Sequence, residues 1–356
     1  MSKKSRKTTK KIQEKETKKP LLNKKLLMIS ITLAVIIILG AVTYQFFWQA
    51  SESEVKFSLK AAIIDQLSED FYNKTFVDAM TDLLKEHNFT VAYYNYTQTK
   101  VEFFKGLAKG NYGIIILRTH AALRKDGSAV DFFTSERYDS WKYGELQNKG
   151  LLVMGELNIS GTIKEYFALS PDFVKELEGT FPKSIVIAMG CQTLNQTAGI
   201  HMAEAFRSKG ATVYIGWDSW VSITHSDWEI IKLIQRLFYG NKTIGQAVRE
   251  AYPDWSFKIP SHLRFYPDSP SIRNLRISDL IKKAQESEAS VKSALFKNFY
   301  VSEMAFVKRF NSLATVMYNW FRRFSPVKFA IFNFLTSSAS TASSRTSFIH
   351  FSKSPR

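Results

Sequence analysis

Ser184–Thr193 (SIVIAMGCQT) constrains the fold more than any other stretch, because an apolar, β-branched run leads directly into Cys191, the only cysteine in 356 residues. Such a run reads as a buried strand that delivers its thiol to the strand's carboxyl end. In an open α/β sheet that edge is where ligands and chemistry sit. Gly113–His120 (GIIILRTH) repeats the pattern and ends in a histidine. Two strands ending in imidazole and thiol would set a base and a nucleophile side by side on one rim. The plain alternative for a lone cysteine at a strand end is a small buried hydrophobe.

The surrounding pattern alternates strand and helix. Lys60–Gln66 and Phe89–Tyr96 read as strands, with a helix over Phe71–Glu86 between them and a second over Lys100–Lys109. After the cysteine run come a helix over Thr197–Lys209, a strand over Ala211–Gly216, and helices over Trp228–Tyr239 and Thr243–Ala251. This order predicts an α/β fold with a mainly parallel sheet and right-handed crossovers. Residues 121–180 break the rhythm with a strand at Leu151–Met154 and a stretch, Tyr166–Leu177, in which Ser170-Pro171 opens a short helix. An insertion there would supply the walls of a substrate site. Pro253–Ser271 reads as irregular, and the domain, begun at residue 58, is expected to end near Ser278.

The net charge of +17 lies in the two ends. Residues 1–26 carry a balance of +9 and residues 292–356 another +9, which leaves −1 for the middle. A nearly neutral body with basic ends argues against nucleic-acid binding, which needs positive charge on the folded surface. Residues 26–48 are uncharged and apolar, bounded by basic residues before and by Glu52 and Glu54 after. That is long enough to span a bilayer. Positive-inside logic then keeps residues 1–25 in the cytoplasm as a basic tail and puts everything after residue 50 outside, with 49–57 as a stem. A cleaved signal peptide is the competing reading, but it wants a shorter apolar core and a small-residue cleavage site. Residues 279–335 interleave aromatic and basic residues, as an interfacial helix would, and the Ser/Thr-rich 336–356 reads as disordered.

Six sequons, at Asn73, Asn88, Asn95, Asn158, Asn195 and Asn241, exceed the roughly two expected by chance and suit an extracytoplasmic glycoprotein. The alternative is polar loop tips. The six histidines and one cysteine show no metal-ligand spacing, and no phosphate-binding glycine loop occurs. Neither metal nor cofactor is expected.

Ile114–Ala121 (IIILRTHA) and Ile185–Thr193 (IVIAMGCQT), followed by ATVYIGW and GNKTIGQAVREA, resemble the caspase-like cysteine peptidases of clan CD, in particular the gingipain-like and CHAT-type branches. The similarity covers roughly residues 58–251. It implies a caspase-like three-layer sandwich and a cysteine endopeptidase acting on protein or peptide substrates; with 26–48 read as one transmembrane helix ahead of it, the enzyme would be membrane-anchored. His120 would be the general base and Cys191 the nucleophile, with the backbone N–H of Cys191 and of Ala121 holding the oxyanion. In the family a glycine usually stands where Ala121 does. Trp217 and Asp218 fall where related enzymes build a pocket wall; Asp218 could select Arg or Lys, or serve as a cap. Glu136 could orient His120 or be an ordinary loop glutamate. The alternative function is a catalytically inactive relative acting as a surface binding or scaffold protein, which Ala121 and the sequon at Asn195 favour. Oligomeric state is open.

Overall fold

The computed structural model describes residues 56–159 and 161–286 continuously, with isolated helical positions beyond them. These residues belong to the second of two units, Lys56–Arg356; the first, Met1–Val55, is described only at Ile37. No helix among the described residues is long and apolar enough to cross a membrane. The expected span at 26–48 lies outside them apart from Ile37, and so do the basic tail and residues 320–356. Within 294–319 only isolated positions are described.

From Lys56 onward the chain builds β1 (Lys60–Asp65), α1 (Lys74–Glu86), β2 (Thr90–Tyr94), α2 (Val101–Lys105) and β3 (Ile114–Arg118). An antiparallel insertion follows: β4 (Ala121–Leu123), β5 (Val130–Arg137), α3 (Gly144–Asn148), β6 (Leu152–Ile159) and β7 (Thr162–Leu169). The main fold resumes with α4 (Pro171–Glu176), β8 (Ile185–Ala188), α5 (Gly199–Ser208), β9 (Val213–Trp217), α6 (Ile223–Phe238), α7 (Ile244–Arg249), β10 (Leu263–Tyr266) and α8 (Pro270–Arg273). The main sheet runs β10-β9-β8-β3-β1-β2, parallel throughout except for β10 on β9. The insertion forms its own sheet, β4-β5-β7-β6.

Alternation along the parallel strands divides the core in two. Ala61, Ile63, Ile116, Ile187 and Ile215 pack with α1, α6 and α7, whereas Ala62, Ile64, Leu117, Ala188 and Tyr214 pack with α2, α5 and the insertion sheet. Ile114 to Leu117 are at most 1% exposed, which is why that run carries no polar face. Helix α1 turns Phe76, Val77, Met80, Leu83 and Leu84 inward, each burial contributing about 1.5–3 kcal/mol.

Three sequence expectations are revised. Where one strand was expected at Leu151–Met154, β6 and β7, eight residues each, form a hairpin that turns at Gly161 with φ +86°. Pro253–Ser271 is not wholly irregular, because β10 adds an antiparallel edge strand. The domain also continues past Ser278: residues 277–286 are helical, and Ile277, Leu280 and Ala284, at helical spacing, are buried in the core.

Candidate functional site

The β3–β8 ladder ends with Leu117 opposite Ala188, and Met189 N–H continues it by donating to Leu117 O at 2.9 Å. His120 and Cys191 each follow three residues after this last pair, just beyond the ends of the two strands. Neighbouring strands lie about 4.8 Å apart, so this register alone brings the imidazole and thiol to one edge. Gly190 permits the approach. A Cβ there would lie 2.6 Å from Thr119 O and 2.8 Å from the Ala121 Cβ, so any larger residue would wedge the two strand ends apart.

His120 and Cys191 line one narrow cavity of ≈ 20 Å³, together with Thr119, Gly190, Val221 and Asp227. That is room for about one water molecule. The Cys191 thiol donates to Val221 O at 3.5 Å. Burial pushes its pKa up, and the bond to Val221 offsets this only in part. His120 is fixed through its backbone, its N–H donating to Gln66 Oε1 at 2.9 Å and its carbonyl accepting from Phe133 N at 3.0 Å. The ring sits edge-on between Phe71 and Phe133, centroids 6.1 and 6.3 Å away. Among the described residues no hydrogen bond reaches either ring nitrogen. Burial lowers its pKa to about 4; the Asp70 charge opposes that and the Arg118 charge adds to it. At neutral pH the imidazole is therefore an unprotonated base and the thiol a protonated acid.

That shift makes a test of its own. Between the folded value of about 4 and the ordinary 6.5 the unfolded chain binds more protons at His120. The corresponding stability is complete above pH 6.5 and lost as pH falls toward 4, up to about 3 kcal/mol. His120→Gln should flatten the decline of the urea midpoint between pH 6.5 and 4.5; equal slopes for both proteins would refute the burial assigned to the ring.

Beneath the dyad lies a buried ion network that sequence reading passed over. Arg118, 1% exposed, donates through Nε and Nη2 to both carboxylate oxygens of Asp227 at 2.7 and 2.8 Å, through Nη1 to Asp65 at 2.7 Å, and through Nη2 to Phe71 O at 2.8 Å. Tyr93 and Asn73 complete it, donating to Asp65 and Asp227 at 3.0 and 2.9 Å. Burial pushes the Asp65 carboxyl up, against the pull of Arg118. Burial also works against the Arg118 charge, but Asp227 and Asp65 outweigh it and hold its pKa above the ordinary value. The signal was present in IIILR, where a charge closes a run that is otherwise wholly apolar.

The remaining expected site residues fall elsewhere. Trp217 is fully buried, its Nε1 donating to Ser226 Oγ at 3.0 Å, because it follows Val213 and Ile215 on the inward face of β9. It is core and not a pocket wall. Asp218 is committed to the β9–β10 edge, accepting from His262 N at 2.7 Å and Arg264 Nε at 3.0 Å. A carboxylate already paired with arginine is a poor receptor for a basic side chain. Glu136 accepts from Val101 N at the start of α2 and from Tyr143, and no hydrogen bond joins it to His120. Ala121 lies beside Gly190, its N 3.0 Å from where a Cβ at position 190 would be.

Of the sequons, Asn88, Asn158 and Asn241 are exposed and Asn95 and Asn195 half-buried. Asn73 differs. Its oxygen caps α1 through Phe76 N at 3.1 Å and its amide serves Asp227, so a glycan there would compete with both bonds. Asn195 binds Thr197 and Ala198 ahead of α5 and is not part of the cavity lining. Among the described residues no three His, Cys, Asp or Glu side chains gather as metal ligands would.

Fold and site together define an α/β protein with an imidazole and a thiol on neighbouring strand ends, at the carboxyl edge of a mainly parallel sheet. No protein-family model matches this chain, and no curated protein matches it.

Proposed function

We propose that the chain is a cysteine endopeptidase of caspase-like architecture, with Cys191 as nucleophile and His120 as general base. The observation that carries this reading is that His120 and Cys191, just beyond the ends of the paired strands β3 and β8, line one cavity. In the first step Sγ leaves the Val221 carbonyl and attacks the peptide carbon while its proton passes to the neutral imidazole. The carbonyl electrons move to oxygen, where the N–H groups of Cys191 and Ala121 are the assigned donors. The imidazolium then returns its proton to the leaving amine, and water, deprotonated by His120, releases the acyl group and restores the thiol. The uncharged segment 26–48 would hold this domain outside the membrane, with the exposed sequons open to glycans.

A second reading, an inactive binding or scaffold protein, draws on the bond from the thiol to Val221 and on the absence, among the described residues, of a hydrogen bond orienting the imidazole. Incubating the full chain with a peptide library, with and without prior iodoacetamide treatment, separates the two. Cleavage that alkylation of Cys191 abolishes is expected. No cleavage, together with no labelling of Cys191 by a thiol-reactive peptide, would favour the scaffold.

A further inference from the structure

We infer that Ser226 and Asp227, adjacent in α6, form with Arg118 a positioning clamp that sets the spacing between His120 and Cys191. The inference rests on the peptidase reading and names residues that reading does not require. Arg118 and Met189 occupy equivalent places, each two residues before a member of the dyad and each following directly on a member of the Leu117–Ala188 pair. Both are gripped by consecutive residues of one helix. Asp227, 3% exposed, takes the Arg118 guanidinium in a two-point fork, while Ser226, 2% exposed, donates to Met189 O at 3.1 Å. Trp217 Nε1 donates to Ser226 Oγ at 3.0 Å and so fixes the direction of that hydroxyl. The same guanidinium binds Phe71 O, and the Phe71 ring packs against the imidazole. Helix α6 therefore holds the thiol strand, the imidazole strand and the ring's aromatic support at once.

Stability alone is a weak reason for such a network, since well-packed apolar residues commonly replace a buried ion group at no loss. What apolar residues do not supply is the planar fork, which fixes direction as well as distance. A displacement of about 1 Å between reacting groups can cost about 100-fold in rate, so a clamp at this point has a kinetic return.

The test is iodoacetamide alkylation of Cys191 in the full chain at pH 7 and pH 10, for wild type, His120→Ala, Ser226→Ala, Ser226→Thr and Asp227→Asn, with circular dichroism to confirm folding. At pH 7, Ser226→Ala and Asp227→Asn should fall roughly 100-fold, to the rate of His120→Ala, and Ser226→Thr should recover most of the loss. At pH 10, where abundant hydroxide can take the thiol proton in place of the imidazole, all five should agree within about twofold. If His120→Ala is slow at pH 7 but Ser226→Ala and Asp227→Asn match wild type, the clamp is refuted and the dyad stands. If His120→Ala itself matches wild type, the dyad and the clamp fall together. Should Asp227→Asn not fold, the Ser226→Ala and Ser226→Thr pair decides.

Discussion

Cys191→Ala and His120→Ala are each expected to lower kcat/KM for peptide cleavage by at least about 1,000-fold, and the double variant by little more than either alone. The reason lies in the ionisation of the pair. Burial keeps the thiol protonated and the imidazole unprotonated, so neither group is reactive in isolation. Attack requires transfer of the thiol proton as the carbon–sulfur bond forms, which makes each partner worthless without the other. Independent contributions would instead multiply in the double variant. Steady-state rates on any peptide that the wild-type chain cleaves decide the matter, and turnover surviving in Cys191→Ala would place the chemistry elsewhere.

Arg118→Met should destabilise the domain by about 3–5 kcal/mol at pH 7, the usual result of leaving a buried charge without its partner. Two such charges are left here, since Asp65 and Asp227 are 0% and 3% exposed. Burial already pushes the Asp65 carboxyl up; without the guanidinium that opposes this it rises further above the unfolded value of about 3.9, and the folded chain then binds more protons. The variant's deficit should therefore shrink as pH falls from 7 toward 4.5, opposite to the trend expected from His120. Replacing all three residues by apolar ones should recover most of the stability but not the rate of Cys191 alkylation at pH 7. Urea midpoints at the two pH values measure the first effect, and a deficit independent of pH would rule out uncompensated carboxylates as its cause.

The sequence shows the parallel strands plainly, because Ile114–Leu117 and Ile185–Ala188 are buried on both faces and so lack any polar alternation. It also points to His120 and Cys191, each placed three residues after such a run. The hairpin β6–β7 is harder to see, since its outer half is exposed and the β-branched signal is diluted by Gly155, Glu156 and Asn158. Strand β10 hides among prolines for the same kind of reason, paired on one side only. Trp217 and Asp218 mislead because an aromatic and an acid just past a strand resemble a pocket; one more residue of strand turns the first inward, and Arg264, distant in sequence, claims the second. Arg118 was legible as an anomaly, though its partners come from β1 and α6, which only tertiary structure brings together.

The strands that carry His120 and Cys191 touch, yet residues 119–184 separate them along the chain. Loop-closure entropy grows only logarithmically, by about 0.6 kcal/mol for each doubling of length, so a long excursion between two core strands costs little. This excursion is also self-supporting, with β4, β5, β6 and β7 paired to one another and not to the main sheet. The cavity that His120 and Cys191 line is drawn from the main fold, and the excursion forms a separate sheet of its own. Mutation can lengthen, shorten or recompose the tip between Asn158 and Thr162 without disturbing the register that joins Leu117 to Ala188, which leaves the molecule free to change what it meets while keeping the geometry of what it holds.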